Sequence, residues 1–302
     1  MQKKILIVGG TGFLGYHLCK NFLKLKYDVS SLSKSKPKKI RKLSNVKYFY
    51  GNIAKEKNIK FLENKNFNFV INCGGYVDHV NIKKTLTSHF YGCKNLYEVF
   101  SKKKIETFIQ IGSSTEYGKN NSPQKESLQG EPSGIYGRSK LKATNFLFST
   151  LRKKEFPFVV LRFYQIYGPY QDNNRFISFV INSCMNDKKF PCSEGKQYRD
   201  FLYIDDAVNA VEKSLGNKQA YGKIINVGYG KPIQLKEIIK IIKHKIKRGT
   251  PKFGEISLRI NEPKTVYPNL HRSKKYLKWI PKISFKKGIL KTINFYKNNN
   301  LV

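Results

Sequence analysis

Short apolar runs recur through the first half of the chain, at residues 5–8, 29–32, 46–50, 69–72, 108–111 and 158–163, with longer amphipathic stretches between them. Runs of this length without polar alternation suit strands covered on both faces, and their exchange with helical patterns is the βαβ order of a parallel sheet. The spacing predicts helices over 13–24, 82–103 and 137–154, and a loop over 120–133, where Asn, Pro, Gly and Ser cluster. Beyond about Pro169 the pattern loosens into loops, with a helix near 205–215, a strand near 224–227, a helix near 235–247 and a tail rich in Pro and Lys. The expected fold class is α/β, a doubly wound parallel sheet over 1–168 with a smaller C-terminal lobe over 169–302, from which residues 224–228 return to the main sheet.

Gly9-Gly10-Thr11-Gly12-Phe13-Leu14-Gly15 follows the first apolar run at once and opens a helical stretch. Gly9 permits a tight turn, Gly12 lets the backbone approach a pyrophosphate, and Gly15 allows helix to pack on strand, with the phosphates at the helix N-terminus. Three glycines alone are weak evidence; the strand before and the helix after make the segment a dinucleotide-binding loop rather than a structural turn. The second strand ends at Ser33 without the carboxylate that takes the ribose hydroxyls of NAD. Lys34, Lys36, Lys38, Lys39 and Arg41 follow, a cluster able to neutralise a 2′-phosphate, so NADP is favoured over NAD, although the same run also reads as a solvated loop.

Tyr136-Gly137-Arg138-Ser139-Lys140 sets a phenol and an ammonium four residues apart, on one face of a helix. A phenol is a poor base at neutral pH, and an adjacent ammonium together with an oxidised nicotinamide favours its ionised form, which suits proton exchange with a sugar hydroxyl or carbonyl. Upstream, Ile109-Gln110-Ile111-Gly112-Ser113-Ser114-Thr115-Glu116-Tyr117-Gly118 ends a strand in hydroxyl residues, the place where an α/β fold carries its site.

With these motifs the chain resembles the extended short-chain dehydrogenase/reductases of the NAD-dependent epimerase/dehydratase family, Rossmann-fold proteins that act on nucleotide sugars. The likeness runs on through Leu161-Arg162-Phe163-Tyr164-Gln165-Ile166-Tyr167-Gly168-Pro169, Arg199-Asp200-Phe201-Leu202-Tyr203-Ile204-Asp205-Asp206 and the segments around Asn226 to Gly230, Phe253 to Pro263 and Trp279 to Pro281. It implies that Ser113 hydrogen-bonds the reacting sugar oxygen, that Tyr136 is the acid/base, and that Lys140 assists it and holds the nicotinamide ribose. It extends the cofactor pocket from the glycine loop to Ser33, Lys34, Asn52, Ile53 and Cys73. It gives the C-terminal lobe to the substrate, with Ser114, Gln165 and Arg175 near the sugar nucleotide and Arg199 and Arg259 gripping its diphosphate.

Several positions depart from the family pattern. Ser114-Thr115 stands where 4,6-dehydratases carry an acidic pair, so dehydration is not expected. His89 replaces an Asn that is mainly structural and reads as an interior donor rather than a base, while Gln165 and Asn52 replace an Asn at the substrate and an Asp at the adenine. Cys192 reads as a small buried residue before it reads as an acid for a 3,5-epimerisation. The implied reaction is NAD(P)-dependent hydride transfer at C4 of a nucleoside-diphosphate sugar, by a 4-ketoreductase or a 4-epimerase. From another class stands a non-catalytic shell that binds RNA or a protein partner, which the intact trio of Ser113, Tyr136 and Lys140 speaks against.

Composition changes little in this picture. The chain has 302 residues, 40% of them hydrophobic and 14% aromatic, enough for a sizeable core, and a peptide hormone or disulfide knot is excluded. Lys and Arg number 58 against 20 Asp and Glu, a formal charge of +38, yet the lysines recur in nearly every block as the polar residues of amphipathic segments. That distribution reads as a solvated face, with no specific nucleic-acid partner. Cys19, Cys73, Cys93, Cys184 and Cys192 form no CxxC pair and suit a reducing cytoplasm, and the dispersed histidines and cysteines form no metal-binding pattern. No run reaches the ~18 apolar residues of a membrane span. A homodimer through 82–103 and 137–154 is expected from the resemblance alone.

Overall fold

In the computed structural model, which describes residues 2–76, 81–151, 155–258 and 262–299, the apolar runs become strands because helices cover them on both sides. The first half of the chain forms β1 (Lys4–Val8), α1 (Phe13–Lys24), β2 (Asp28–Ser33), β3 (Lys47–Tyr50), β4 (Phe69–Asn72), α2 (Ile82–Leu86), α3 (Gly92–Phe100), β5 (Thr107–Ser113), α4 (Ile135–Thr150) and β6 (Phe158–Phe163). The second half forms β7 (Gln165–Tyr167), α5 (Phe176–Met185), β8 (Lys189–Cys192), β9 (Tyr198–Arg199), β10 (Phe201–Tyr203), α6 (Ile204–Ser214), β11 (Lys223–Val227), β12 (Ile233–Gln234), α7 (Leu235–Ile246), β13 (Thr250–Phe253), β14 (Thr265–Val266), α8 (His271–Leu277) and α9 (Phe285–Asn298).

Seven strands pair in the order β3-β2-β1-β4-β5-β6-β11, every pair parallel. The return of β11 to β6 sets Ile225 beside Leu161. Alternate side chains feed two cores. Ile5, Ile7, Ile109 and Leu161 join Leu18 and Phe22 of α1 and Ala207 and Val211 of α6. Leu6, Val8, Phe108 and Val160 join Leu96 and Phe100 of α3 and Ala143 and Leu147 of α4. A strand that serves two cores cannot alternate polar with apolar, which is why residues 5–8 of β1 read as an unbroken apolar run.

The structure departs from the pattern in two places. The helix expected over 82–103 is interrupted by a wide π turn at Thr87–Tyr91, between α2 and α3. The C-terminal half holds more structure than loosened periodicity suggested. α5 is apolar on most of its circumference, so no polar face marked it, and α9 follows a Ser284 cap with Phe285, Ile289, Ile293 and Tyr296 buried at helical spacing. The segment before α9 is pinned to α6 by Asp206, whose two carboxylate oxygens accept the Lys282 and Ile283 amides at 3.0 and 2.8 Å. Among the described residues no helix is long and apolar enough to cross a membrane.

One contact ties the first helix to the loop after β7. His17 Nε2 donates to the Pro169 carbonyl at 2.9 Å, with the ring packed edge-on against Phe13 and Tyr16. Burial holds His17 down at about 4, whereas in the unfolded chain a histidine titrates near about 6.5. The unfolded state therefore binds the extra proton first, so the contribution of the neutral ring is complete above about 6.5 and is lost as the pH falls towards 4. Between pH 7 and pH 4.5 the wild type should lose about 2 kcal/mol more stability than His17→Gln, read by urea denaturation at the two pH values.

Candidate active site

Strand order reverses between β1 and β4, and the loops leaving their C-terminal ends part there, opening the crevice where such sheets take their ligands. The glycine loop is shaped by close approach. Gly9 has φ +82°, and a Cβ on it would lie 3.0 Å from the Cys73 backbone; a Cβ on Gly15 would lie 2.1 Å from the Gly9 carbonyl oxygen. Gly12 begins α1 with no side-chain cap and no acidic residue in the first turn. The amides at this end thus remain available to an anion, while the Thr11 amide donates to Ser33 Oγ at 3.3 Å. Backbone without side chains, at a helix N-terminus, fits the pyrophosphate of a dinucleotide.

A cleft of about 760 Å³ runs from this loop across the ends of β4 and β5. It brings Gly9, Thr11, Gly12, Phe13, Leu14, Gly15, Ser33, Lys34, Asn52, Ile53 and Cys73 together with Ser113, Ser114, Tyr136, Lys140, Gln165 and Arg175. Arg199 is absent from this lining. Its buried guanidinium meets Glu262 Oε1 at 2.6 Å and donates to the Tyr198 and Lys264 carbonyls. Arg259 lies outside the described residues. Cys192 is buried away from the cleft, and burial pushes its thiol up to about 11.

Tyr136 and Lys140 sit one turn apart on α4, with the Lys140 ammonium 5.8 Å from the centre of the Tyr136 ring. Lys140 is the one buried lysine among the described residues, and it donates to the Ile111 carbonyl of β5 at 2.7 Å. At the end of that strand Ser113 Oγ accepts from the Thr115 amide at 3.2 Å and from Thr115 Oγ1 at 2.9 Å. The π turn brings His89 to the cleft wall, its ring perpendicular to Tyr136 at 5.0 Å and its Nε2 2.8 Å from the Tyr76 carbonyl oxygen. Gly75 makes room for it, since a Cβ there would fall 1.9 Å from the imidazole.

Three charged residues near the cleft were not singled out by their sequence context. Asp172 is the one carboxylate among the described lining residues, and it is held by Lys38 at 2.7 Å and Arg41 at 3.1 Å. Arg41 also donates to the Tyr170 carbonyl, so two cations of the cluster after β2 are already engaged. Glu116, three residues after Ser113, turns away from the cleft into the core and pairs with Arg162 at 2.9 Å. Both stood inside recognised motifs, but only the fold reveals that they meet.

The family model described as NAD dependent epimerase/dehydratase family matches residues 5–228. The chain belongs to that family. Curated relatives include the human dTDP-D-glucose 4,6-dehydratase, 28% identical over 98% of this chain and 91% of its own length. Another is the Bacillus subtilis protein named uncharacterized UDP-glucose epimerase YtcB, 24% identical over 97% of each. Among solved structures, an epimerase of Methanothermobacter thermautotrophicus superposes with a TM-score of 0.92 at 21% identity, covering 99% of this chain and 94% of that one. A UDP-glucose 4-epimerase of Thermotoga maritima, solved with UDP-glucose, superposes at 0.91 and 20% identity over 98% and 99%. These likenesses establish a family fold of seven parallel strands flanked by helices.

The glycine loop yields a test that needs no substrate. Gly15→Ala would force the Gly9 carbonyl aside and should cost about 3 kcal/mol of stability, with dinucleotide affinity at least about tenfold weaker by calorimetric titration.

Proposed function

We propose that this protein transfers hydride at C4 of a nucleoside-diphosphate sugar, as a 4-epimerase or a 4-ketoreductase. The observation that carries the reading is the meeting of Ser113, Tyr136 and Lys140 in one cleft with the glycine loop at the N-terminus of α1. The names of the relatives agree at this level, since UDP-glucose epimerases and dTDP-glucose dehydratases share chemistry at the sugar's C4. Against dehydration stands the lining itself, where the single described carboxylate, Asp172, is neutralised by Lys38 and Arg41 and no acid follows Ser113 into the cleft.

When bound, a nicotinamide ring supplies or takes up the hydride. Tyr136 holds and moves the proton on the C4 oxygen, and Ser113 Oγ, oriented by Thr115, hydrogen-bonds the same atom. Lys140 places a fixed positive charge beside the Tyr136 ring and anchors α4 to β5. Ser114 and Gln165 line the same cleft and would face the sugar in this reading, and Arg175, the one arginine among the described lining residues, would meet the diphosphate. For the cofactor we infer NAD(P), with NADP favoured by the missing carboxylate at the end of β2 and by Lys34 in the lining. Lys38 and Arg41 add less, being held by Asp172 and Tyr170.

The test begins with the purified protein, denatured and its released dinucleotide identified by chromatography and mass spectrometry. Stoichiometric NAD marks an epimerase that recycles its hydride, whereas an empty site that prefers NADPH marks a reductase. Turnover is then followed on UDP- and dTDP-hexoses and their 4-keto forms, and no conversion at C4 in that panel would sink the reading. Tyr136→Phe should leave folding and cofactor affinity nearly intact and cut turnover at least about 100-fold. Lys34→Ala should weaken NADPH about fivefold and NADH hardly at all, measured by fluorescence titration.

A further inference from the structure

We propose that Glu116 is a positioning residue, a buried clamp that holds the end of β5 and the helix bearing Tyr136 and Lys140 in one frame. This rests on the reading of the cleft as a hydride-transfer site. Glu116 has no exposed surface, and its two oxygens serve three donors from three elements. Oε1 accepts the Ser113 amide at 2.8 Å; Oε2 accepts Thr144 Oγ1 of α4 at 2.8 Å and Arg162 Nε of β6 at 2.9 Å. Thr144 lies one turn beyond Lys140 and two beyond Tyr136, so it stands on the same face of the helix. α4 is therefore fastened to β5 twice, by Lys140 to the Ile111 carbonyl and by Thr144 through the Glu116 carboxylate to Ser113.

The seat is shaped for a carboxylate. A Cβ on Gly112 would lie 2.6 Å from Glu116 Oε1, so the strand must offer bare backbone there. Every partner is a donor, and only a group that accepts on both atoms satisfies all three; an amide would turn an N–H against one of them. Arg162 is itself braced, its guanidinium 4.5 Å over the Tyr117 ring, whose hydroxyl donates to Asn226 Oδ1 at 2.7 Å. A buried ion pair adds little net stability compared with apolar residues of similar volume, but breaking one partner leaves the other stranded. A purely structural role and a positioning role therefore separate when both charges are removed together.

Glu116→Gln, Thr144→Val and the double variant Glu116→Gln/Arg162→Met provide the test, each compared with wild type by urea denaturation, cofactor titration, kcat and KM, and exchange of the Ser113 amide by NMR. For Glu116→Gln the expected result is a folded protein with kcat about 10- to 100-fold lower and KM and cofactor affinity within about threefold. Its Ser113 amide should exchange at least about tenfold faster. Thr144→Val, which keeps the ion pair, should lower kcat about threefold or more. The double variant should regain stability relative to Glu116→Gln without regaining kcat. Recovery of turnover along with stability would reduce Glu116 to a structural residue, and an unchanged Ser113 amide in Glu116→Gln would overturn the clamp outright. The exchange measurement needs no turnover, so a wild type inactive on every nucleotide sugar would refute the proposed activity and leave the clamp to be judged by Ser113 alone. If Glu116→Gln fails to fold, Thr144→Val and the double variant carry the same comparison.

Discussion

A parallel sheet covered on both faces leaves polar chemistry one place to stand, the ends of its strands. Every interior side chain of β1 is committed to one of the two cores, and a polar group there would be buried without water and without a partner. At the C-terminal ends the constraint lifts, and there β2 finishes in Ser33, β4 in Asn72 and β5 in Ser113. Because neighbouring strands run parallel, those ends lie side by side. Because the order reverses between β1 and β4, the loops that follow them diverge rather than fill the space. The cleft is thus a consequence of how the apolar residues are buried, and the glycine loop and the trio of Ser113, Tyr136 and Lys140 occupy ground that the core could not use.

Several polar groups that do enter the interior around the strand ends meet partners from distant elements. Asn72 Nδ2 donates to Gln110 Oε1 at 2.8 Å across the sheet, while its Oδ1 accepts the Gly74 amide at 3.1 Å. Behind the Ser113 strand end, Asn226 of β11 accepts from Tyr117, donates to the Gln124 carbonyl and offers its amide to Glu126. Tyr164 reaches the Gln124 side chain at 2.8 Å. Asp200 accepts the Tyr229 and Gly230 amides at 2.7 and 2.6 Å, and burial pushes its carboxyl up to about 7. Together these contacts fasten the loops that follow the C-terminal ends of β5, β6 and β11. A loop fixed by satisfied buried hydrogen bonds can be rigid while remaining irregular, as a site built from loop residues requires.

What the sequence disclosed and what it withheld divide along range. Strand runs, the glycine loop and the four-residue spacing of Tyr136 and Lys140 are local patterns, and each appears in the fold within a few residues of its expected place. The segment 120–133 was legible as irregular, yet not as interior. Gln124 and Glu126 are buried because partners about a hundred residues away in β11 need them, and composition carries no trace of that demand. The same holds for Asp172, which meets Lys38 across 134 residues, and for Arg199, whose guanidinium is claimed by Glu262. A charged residue in a recognised motif announces that it matters, but which opposite charge it meets is decided by topology. The π turn at His89 is a subtler case, since one residue of helical slippage leaves the apolar pattern almost unchanged while redirecting a side chain onto Tyr136.

The charge excess looks different once burial is known. With 58 basic residues against 20 acidic ones, a chain of +38 has every opportunity to place lysines in or near its interior. Among the described residues only Lys140 is buried there, and its ammonium is held by a backbone carbonyl rather than by a carboxylate. Exposed lysines contribute a diffuse positive field that salt screens over about 8 to 10 Å, and such a field raises the local concentration of any polyanion, a nucleotide sugar included, without choosing among them. A lysine ammonium withdrawn from water and left without a counter-anion acts on its own surroundings far more strongly. Arg41, Arg162 and Arg199 are buried too, but they meet Asp172, Glu116 and Glu262, so the residue that matters electrostatically is identified by where a charge is desolvated without a carboxylate beside it. That place is one helical turn from Tyr136.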